Sequence, residues 1–228
     1  MSTPAAFRLE VVSDTICPWC WIGKRRLEAA LARTGDAPEL ELRWRPFELN
    51  PDMPREGIAR RDYRTAKFGS WERSLELDAE VARAGAGDGL DFRHARQART
   101  PNTLASHALV RAAEPGRAQS RTVEALFGAY FTDGRDIGDP DELAAIGAAA
   151  GLDPDAARAA VTDEAALQAL HAEARAWSAG GVRGVPSVVL EGFVLFSGAQ
   201  PPETIAAILR EATAHESVLA AREARLAA

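Results

Sequence analysis

The chain has 228 residues, 46% of them hydrophobic, enough for one domain with a large insertion or two closely packed ones. A formal net charge of -6 argues against a general nucleic-acid surface, and no apolar run reaches the ~18 residues of a membrane helix. All but two of its 27 basic residues are arginine, interleaved with acids as on a solvated, ion-paired surface.

Phe7, Leu9, Val11 and Val12 make a short apolar run that reads as a core strand. The chain turns at Ser13–Ile16 and reaches Cys17-Pro18-Trp19-Cys20. From Trp21 onward, Ile22, Leu27, Ala30 and Leu31 recur at helical spacing to about Arg33. Pro18 suits the first position of that helix, where its missing N–H costs nothing. Cys17 then stands at the helix N-terminus, where unpaired N–H groups and the positive dipole end favour a thiolate. Cys20 lies one turn inside. This spacing predicts Cys17 as attacking sulfur and Cys20 as resolving thiol. The two other readings are inert thiols and half of a zinc site. A zinc site needs four ligands, and His94, His107, His171 and His215 are too scattered to supply the usual second pair. No metal is expected.

Gly35–Pro38 reads as a loop, and Glu39–Arg45 alternates with period two, placing Leu40, Leu42 and Trp44 inward. The order β-α-β implies a parallel pair with a right-handed crossover. Pro46–Pro54 is a proline-rich exit, and the next ~120 residues read almost entirely as helix. The segments are Ile58–Phe68, Trp71–Ala84, Thr103–Ala113, Ser120–Phe131, two starts at Asp139-Pro140 and Asp153-Pro154, and Glu164–Ser178. Gly85–Gly89 reads as a break and Leu90–Phe92 as extended. Trp71, Phe92, Phe127, Tyr130 and Phe131 read as core of this block. After Gly180–Gly184 the pattern returns to strands at Ser187–Leu190 and Phe193–Phe196, turning at Glu191-Gly192. A helix follows from Pro201, then an alanine-rich tail from Glu216 that either frays or forms an interface, as in a homodimer.

The expected fold is α/β: a thioredoxin-like domain at 1–50 and 180–228 with an all-helical domain inserted at 51–179. In that topology Val185-Pro186 stands where a cis-proline packs against the cysteine pair. The Val185 backbone then faces Cys17 and can pair with an extended substrate. Asp14 caps the turn or relays a proton for Cys20. Trp19 either covers the pair or modulates access to it, Lys24 and Arg25 read as outer helix face or as attracting an acidic thiol such as glutathione, and His107 is either a packing histidine or a substrate contact. Met1–Ala6 lacks the basic start and apolar middle of a secretory signal, so the cytoplasm is the expected location, where such a pair cycles rather than staples.

The stretch Ser13–Arg25, with Cys17-Pro18-Trp19-Cys20 at its centre, resembles the active-site segment of DsbA-family oxidoreductases of FrnE type. Pro46–Pro51, Asn102-Thr103 with His107, Gly184–Ser187 and Gly198–Pro201 are similar to its later motifs. The resemblance implies a thioredoxin fold with a helical insertion and thiol–disulfide oxidoreductase activity. It implies Cys17 and Cys20 as the catalytic pair, with Pro18, Trp19, Val185, Pro186 and His107 meeting the substrate. That substrate is a protein or small-molecule disulfide; no cofactor is tightly bound, and glutathione is a possible redox partner. Trp19 carries no charge, unlike a protonated histidine, so the expected potential is less oxidising than the ~−120 mV of DsbA. The alternative is a glutathione-dependent isomerase or transferase of the 2-hydroxychromene-2-carboxylate isomerase or kappa-class type. Those isomerases carry serine at the position of Cys17 and lack the second cysteine.

Overall fold

The computed structural model describes residues 6–33 and 39–227. The loop expected at Gly35–Pro38 lies outside the described residues. Strand β1 (Phe7–Ser13) leads into helix α1 (Pro18–Ala32), and β2 (Leu40–Pro46) pairs parallel with β1, Leu9 opposite Leu42. The chain returns with β5 (Ser187–Leu190), antiparallel to β1, and β6 (Phe193–Ser197), antiparallel to β5. The sheet order is β2-β1-β5-β6. Helices α9 (Pro202–Ala214) and α10 (Glu216–Ala227) complete this part, and α9 packs on α1. Leu9, Val12, Val189 and Leu190 are fully buried, as central strands covered on both faces require.

Between β2 and β5 come α2 (Arg60–Phe68), α3 (Trp71–Ala86), α4 (Leu104–Ala112), α5 (Arg117–Phe127), α6 (Pro140–Ala149), α7 (Pro154–Thr162) and α8 (Glu164–Ala179). The two Asp-Pro starts cap as their chemistry dictates. Asp139 accepts the N–H groups of Asp141 and Glu142, and Asp153 that of Ala156. Two features differ from the sequence reading. Helix α3 runs on through Gly85, which is a packing glycine rather than a breaker: a side chain there would collide with the ring of Phe92. A two-residue ladder, β3 (Ile58–Ala59) against β4 (Arg99–Thr100), closes the entry to α2.

One large apolar cluster runs from the sheet into the inserted helices, with two small ones beside it, around Val12 and Val189 and around Ala108 and Leu170. Trp21 of α1 stacks on Phe127 and Phe131, with ring centroids 6.2 and 5.8 Å away, and meets Phe92 edge-on at 5.1 Å. Phe131 sits in a π-helical turn (Gly128–Asp133) that prolongs α5. Trp71 stands apart from this cluster, with Arg60 and Arg61 over its ring.

Candidate active site

Cys17 is the N-cap residue of α1, with extended backbone angles, and Pro18 takes the first helical position. Its carbonyl accepts the Cys20 N–H at 3.0 Å, which closes the first turn and brings the two side chains to one end of the helix. Both cysteines are free thiols, Cys17 5% and Cys20 1% exposed. Burial pushes the Cys20 thiol well above its ordinary value, and the hydrogen bond and charge of Cys17 add to that. The Ser13 hydroxyl and the Asp14 backbone, both bonded to the Cys20 sulfur, work the other way.

The Val185–Pro186 peptide bond is cis. The Cys17 thiol points at the Val185 carbonyl oxygen, 3.7 Å away. Gly198 N–H donates to the Pro186 carbonyl at 2.8 Å, and the Ser187 hydroxyl donates to Gly184 at 2.8 Å, fixing both sides of the loop. Gly23, one turn beyond Cys20, belongs to this arrangement and escaped the sequence reading. A Cβ at Gly23 would lie 2.8 Å from Pro186 Cγ. A glycine inside a helix costs about 1 kcal/mol against alanine, and that cost was the available signal of a close neighbour.

Asp14 is fully buried. Its carboxylate accepts Leu49 N–H at 2.7 Å and Ile16 N–H at 3.3 Å, pinning the turn before Cys17 to the exit from β2. His107 does not line the cleft beside Cys17. It is buried beneath it, with Nε2 3.1 Å from the Phe47 carbonyl and 3.8 Å from Asp14. Beside it, His171 Nδ1 lies 2.6 Å from Glu48; burial holds the Glu48 carboxyl above its ordinary range, against the pull of His171. Lys24 is not on an outer face either. Its ammonium is 3% exposed, 2.6 Å from Glu28 and 2.8 Å from Glu124, which also accepts from Trp21 Nε1 at 3.1 Å. Glu124 of α5 draws it inward.

Cys17, Pro18, Trp19 and Val185 open onto a cavity of about 380 Å³ whose other wall comes from α2, α3 and the residues around His94. Trp19 stands at 41% exposure. A helix-terminal thiol with a second thiol shielded one turn behind is suited to forming and releasing mixed disulfides. On a thioredoxin-like sheet, that pair puts the protein among the thiol–disulfide oxidoreductases.

Within that class, the chain belongs to the DSBA-like thioredoxin domain family, whose sequence pattern matches residues 8–210. It is 31% identical to a probable DsbA oxidoreductase from Streptomyces coelicolor, with a TM-score of 0.77 over 90% of this chain and 89% of that one. DsbM, a cytosolic disulfide reductase of Pseudomonas aeruginosa, shares the fold at TM-score 0.62 and 21% identity, over 90% and 97% of the two chains. The Bacillus subtilis protein YwbO is 28% identical over 146 residues, 64% of this chain and 66% of its own length. A 2-hydroxychromene-2-carboxylate isomerase has the same fold at TM-score 0.65 and 16% identity, over 96% of this chain and 98% of that one. No helix among the described residues is long and apolar enough to cross a membrane.

Proposed function

We propose that the protein cycles the Cys17–Cys20 pair between dithiol and disulfide, with Cys17 attacking and Cys20 resolving. The observation that carries this is the asymmetry of the two sulfurs. Cys17 caps the helix and opens onto the cavity, while Cys20 is buried behind it with its proton favoured. Cys17 thiolate attacks a substrate disulfide, forms a mixed disulfide and expels one substrate thiolate. Cys20 then gives up its proton and attacks Cys17 sulfur, releasing the second thiolate and leaving the Cys17–Cys20 disulfide. Two electrons from a thiol reverse the sequence, so the same steps serve oxidation and reduction.

Pro18, Trp19, Val185 and Pro186 frame the position of the substrate sulfurs. Asp14 is our candidate for the group that takes the Cys20 proton, since its carboxylate is buried in the turn directly before Cys17. His107 reaches this site only through the Phe47 carbonyl and Asp14, so a positioning role fits it better than substrate contact. The inserted helices supply the facing wall. DsbM, described as cytosolic and also solved with glutathione at 22% identity, supports a cytoplasmic setting and glutathione as a thiol partner.

The test is reduction of insulin disulfides by the dithiol protein. Wild type reduces them, Cys17→Ala abolishes the reaction, and Cys20→Ala accumulates a mixed disulfide visible by mass. Asp14→Asn slows only the second step. A glutathione-dependent isomerisation that survives Cys20→Ala would instead assign the chain to the isomerase reading.

A further inference from the structure

We propose that Arg26 is a positioning residue for the proline loop, holding Val185 and Pro186 in place over Cys17, and that Asp88 of the inserted helical segment fixes its aim. This rests on the exchange reaction above and deepens it, because the Val185 backbone is the edge offered to an extended substrate.

The proline loop is tied to the turn that follows β6. Gly198 N–H donates to the Pro186 carbonyl at 2.8 Å, and the hydroxyls of Ser187 and Ser197 meet at 2.6 Å. Gln200 folds back on the same turn. Its side-chain amide donates to the Ser197 carbonyl and its backbone N–H to the Gly198 carbonyl, both at 3.0 Å. Residues 185–187 and 197–200 are thus stitched into one unit, and whatever fixes the turn also fixes the proline.

Arg26 fixes the turn. From α1 its Nη1 donates to the Ala199 carbonyl at 2.7 Å, and its Nε donates to Asp88 at 2.9 Å. Asp88 stands in the turn that ends α3. One guanidinium therefore joins the helix that bears the thiols, the inserted segment and the turn bonded to Pro186. Packing points the same way. A Cβ at Gly23, one helical turn before Arg26 on the same face, would lie 2.8 Å from Pro186 Cγ and 3.8 Å from Ala199 Cα. Gly23 lets the loop come close, and Arg26 holds it there.

The chemistry suits arginine. Its planar fork sets the direction of two N–H groups at once, which an ammonium does not. The bond to Ala199 is charge-assisted. The two charged side chains are 22% and 17% exposed, so the pair is largely sheltered from water. The aim of the Val185 carbonyl, 3.7 Å from the Cys17 sulfur, thus depends on a carboxylate that the inserted segment supplies.

The test isolates the attack step in Cys20→Ala protein, where the mixed disulfide accumulates. Two rates are measured: attack of Cys17 on insulin disulfides, which need the loop, and alkylation of Cys17 by iodoacetamide, which does not. Arg26→Met keeps the apolar stem and removes both bonds. It should slow attack on insulin about tenfold while alkylation stays within about twofold of the parent. Asp88→Asn should slow attack on insulin by a smaller factor. The double variant should be no slower than Arg26→Met, as two members of one clamp require. An unchanged insulin rate in Arg26→Met, or equal falls in both rates, overturns the positioning role and leaves the exchange reaction standing. No mixed disulfide in the parent overturns both.

Discussion

At Cys20, burial and the Cys17 sulfur both favour the thiol over the thiolate. An unfolded cysteine ionises near pH ~8.5, and the folded one ionises higher. Between those values the native state holds a proton that the unfolded state has lost, so stability declines as pH rises. The full contribution is present below ~8.5 and disappears as the folded value is passed. Reduced wild type should therefore lose melting temperature from pH 8 to 10 more steeply than Cys20→Ala. Equal slopes would show that Cys20 is not the group responsible. Trp19 supplies another expectation at this scale. With no charge between the sulfurs, the thiolate lacks the added stabilisation that makes DsbA so oxidising. A titration in glutathione buffer should give a potential more negative than ~−120 mV, and Trp19→His should move it upward.

Helix α1 carries both the thiols and the glycine that lets Pro186 approach them. Gly23→Ala gains about 1 kcal/mol of helix propensity. It also drives a methyl to 2.8 Å from Pro186 Cγ, so the proline loop must shift away from Cys17. Exchange activity should fall by an order of magnitude or more while the circular dichroism spectrum stays that of wild type. Unchanged turnover would mean that the loop yields freely. Which elements could be read from sequence follows the same logic of neighbours. The alternation Leu40-Leu42-Trp44 and the cap-proline pairs at Asp139 and Asp153 are local signals, and the elements they mark are in place. Gly85 was misread because its reason for being glycine is the ring of Phe92, a partner that no local pattern announces. The ladder β3–β4 has two residues per strand, too few for an alternating pattern to register. Lys24 was misplaced because Glu124 lies 100 residues further on.

The hairpin turn, the first strand and the last helix are tied together by one ion pair. Glu191 adopts a left-handed backbone at the turn between β5 and β6. Its carboxylate accepts Arg8 N–H and two Arg225 N–H groups, at 2.8, 2.7 and 2.7 Å, and Arg225 also reaches the Ala6 carbonyl at 2.9 Å. Burial would raise the Glu191 carboxyl, but the bonds from Arg225 and Arg8 outweigh it and hold it below its ordinary value. That contribution is present above pH ~4.3 and fades as pH falls through the lower, folded value. Arg225→Ala should cost about 1–3 kcal/mol in urea unfolding at pH 7, discounted for the partial exposure of the arginine. The difference should shrink below pH 4; a gap that persists there would assign the cost to packing of α10. At this scale the CxxC position was legible from its local spacing, and the proline loop from the strand order that sets Val185-Pro186 beside the pair. The polar wall of the cavity was not. Asn50, Arg64 and the turn that carries His94 and Gln97 are far apart in the chain and only folding assembles them.

The Cys17 sulfur and the Val185 carbonyl it meets are 168 positions apart in the chain. At ~5–20 residues per second, a ribosome makes the cover on the order of ten to thirty seconds after the thiols. For that interval the nascent chain carries an unroofed pair, open to alkylators and to any passing oxidant. Translation speed thus decides how long the newborn molecule must be guarded by the reductants around it.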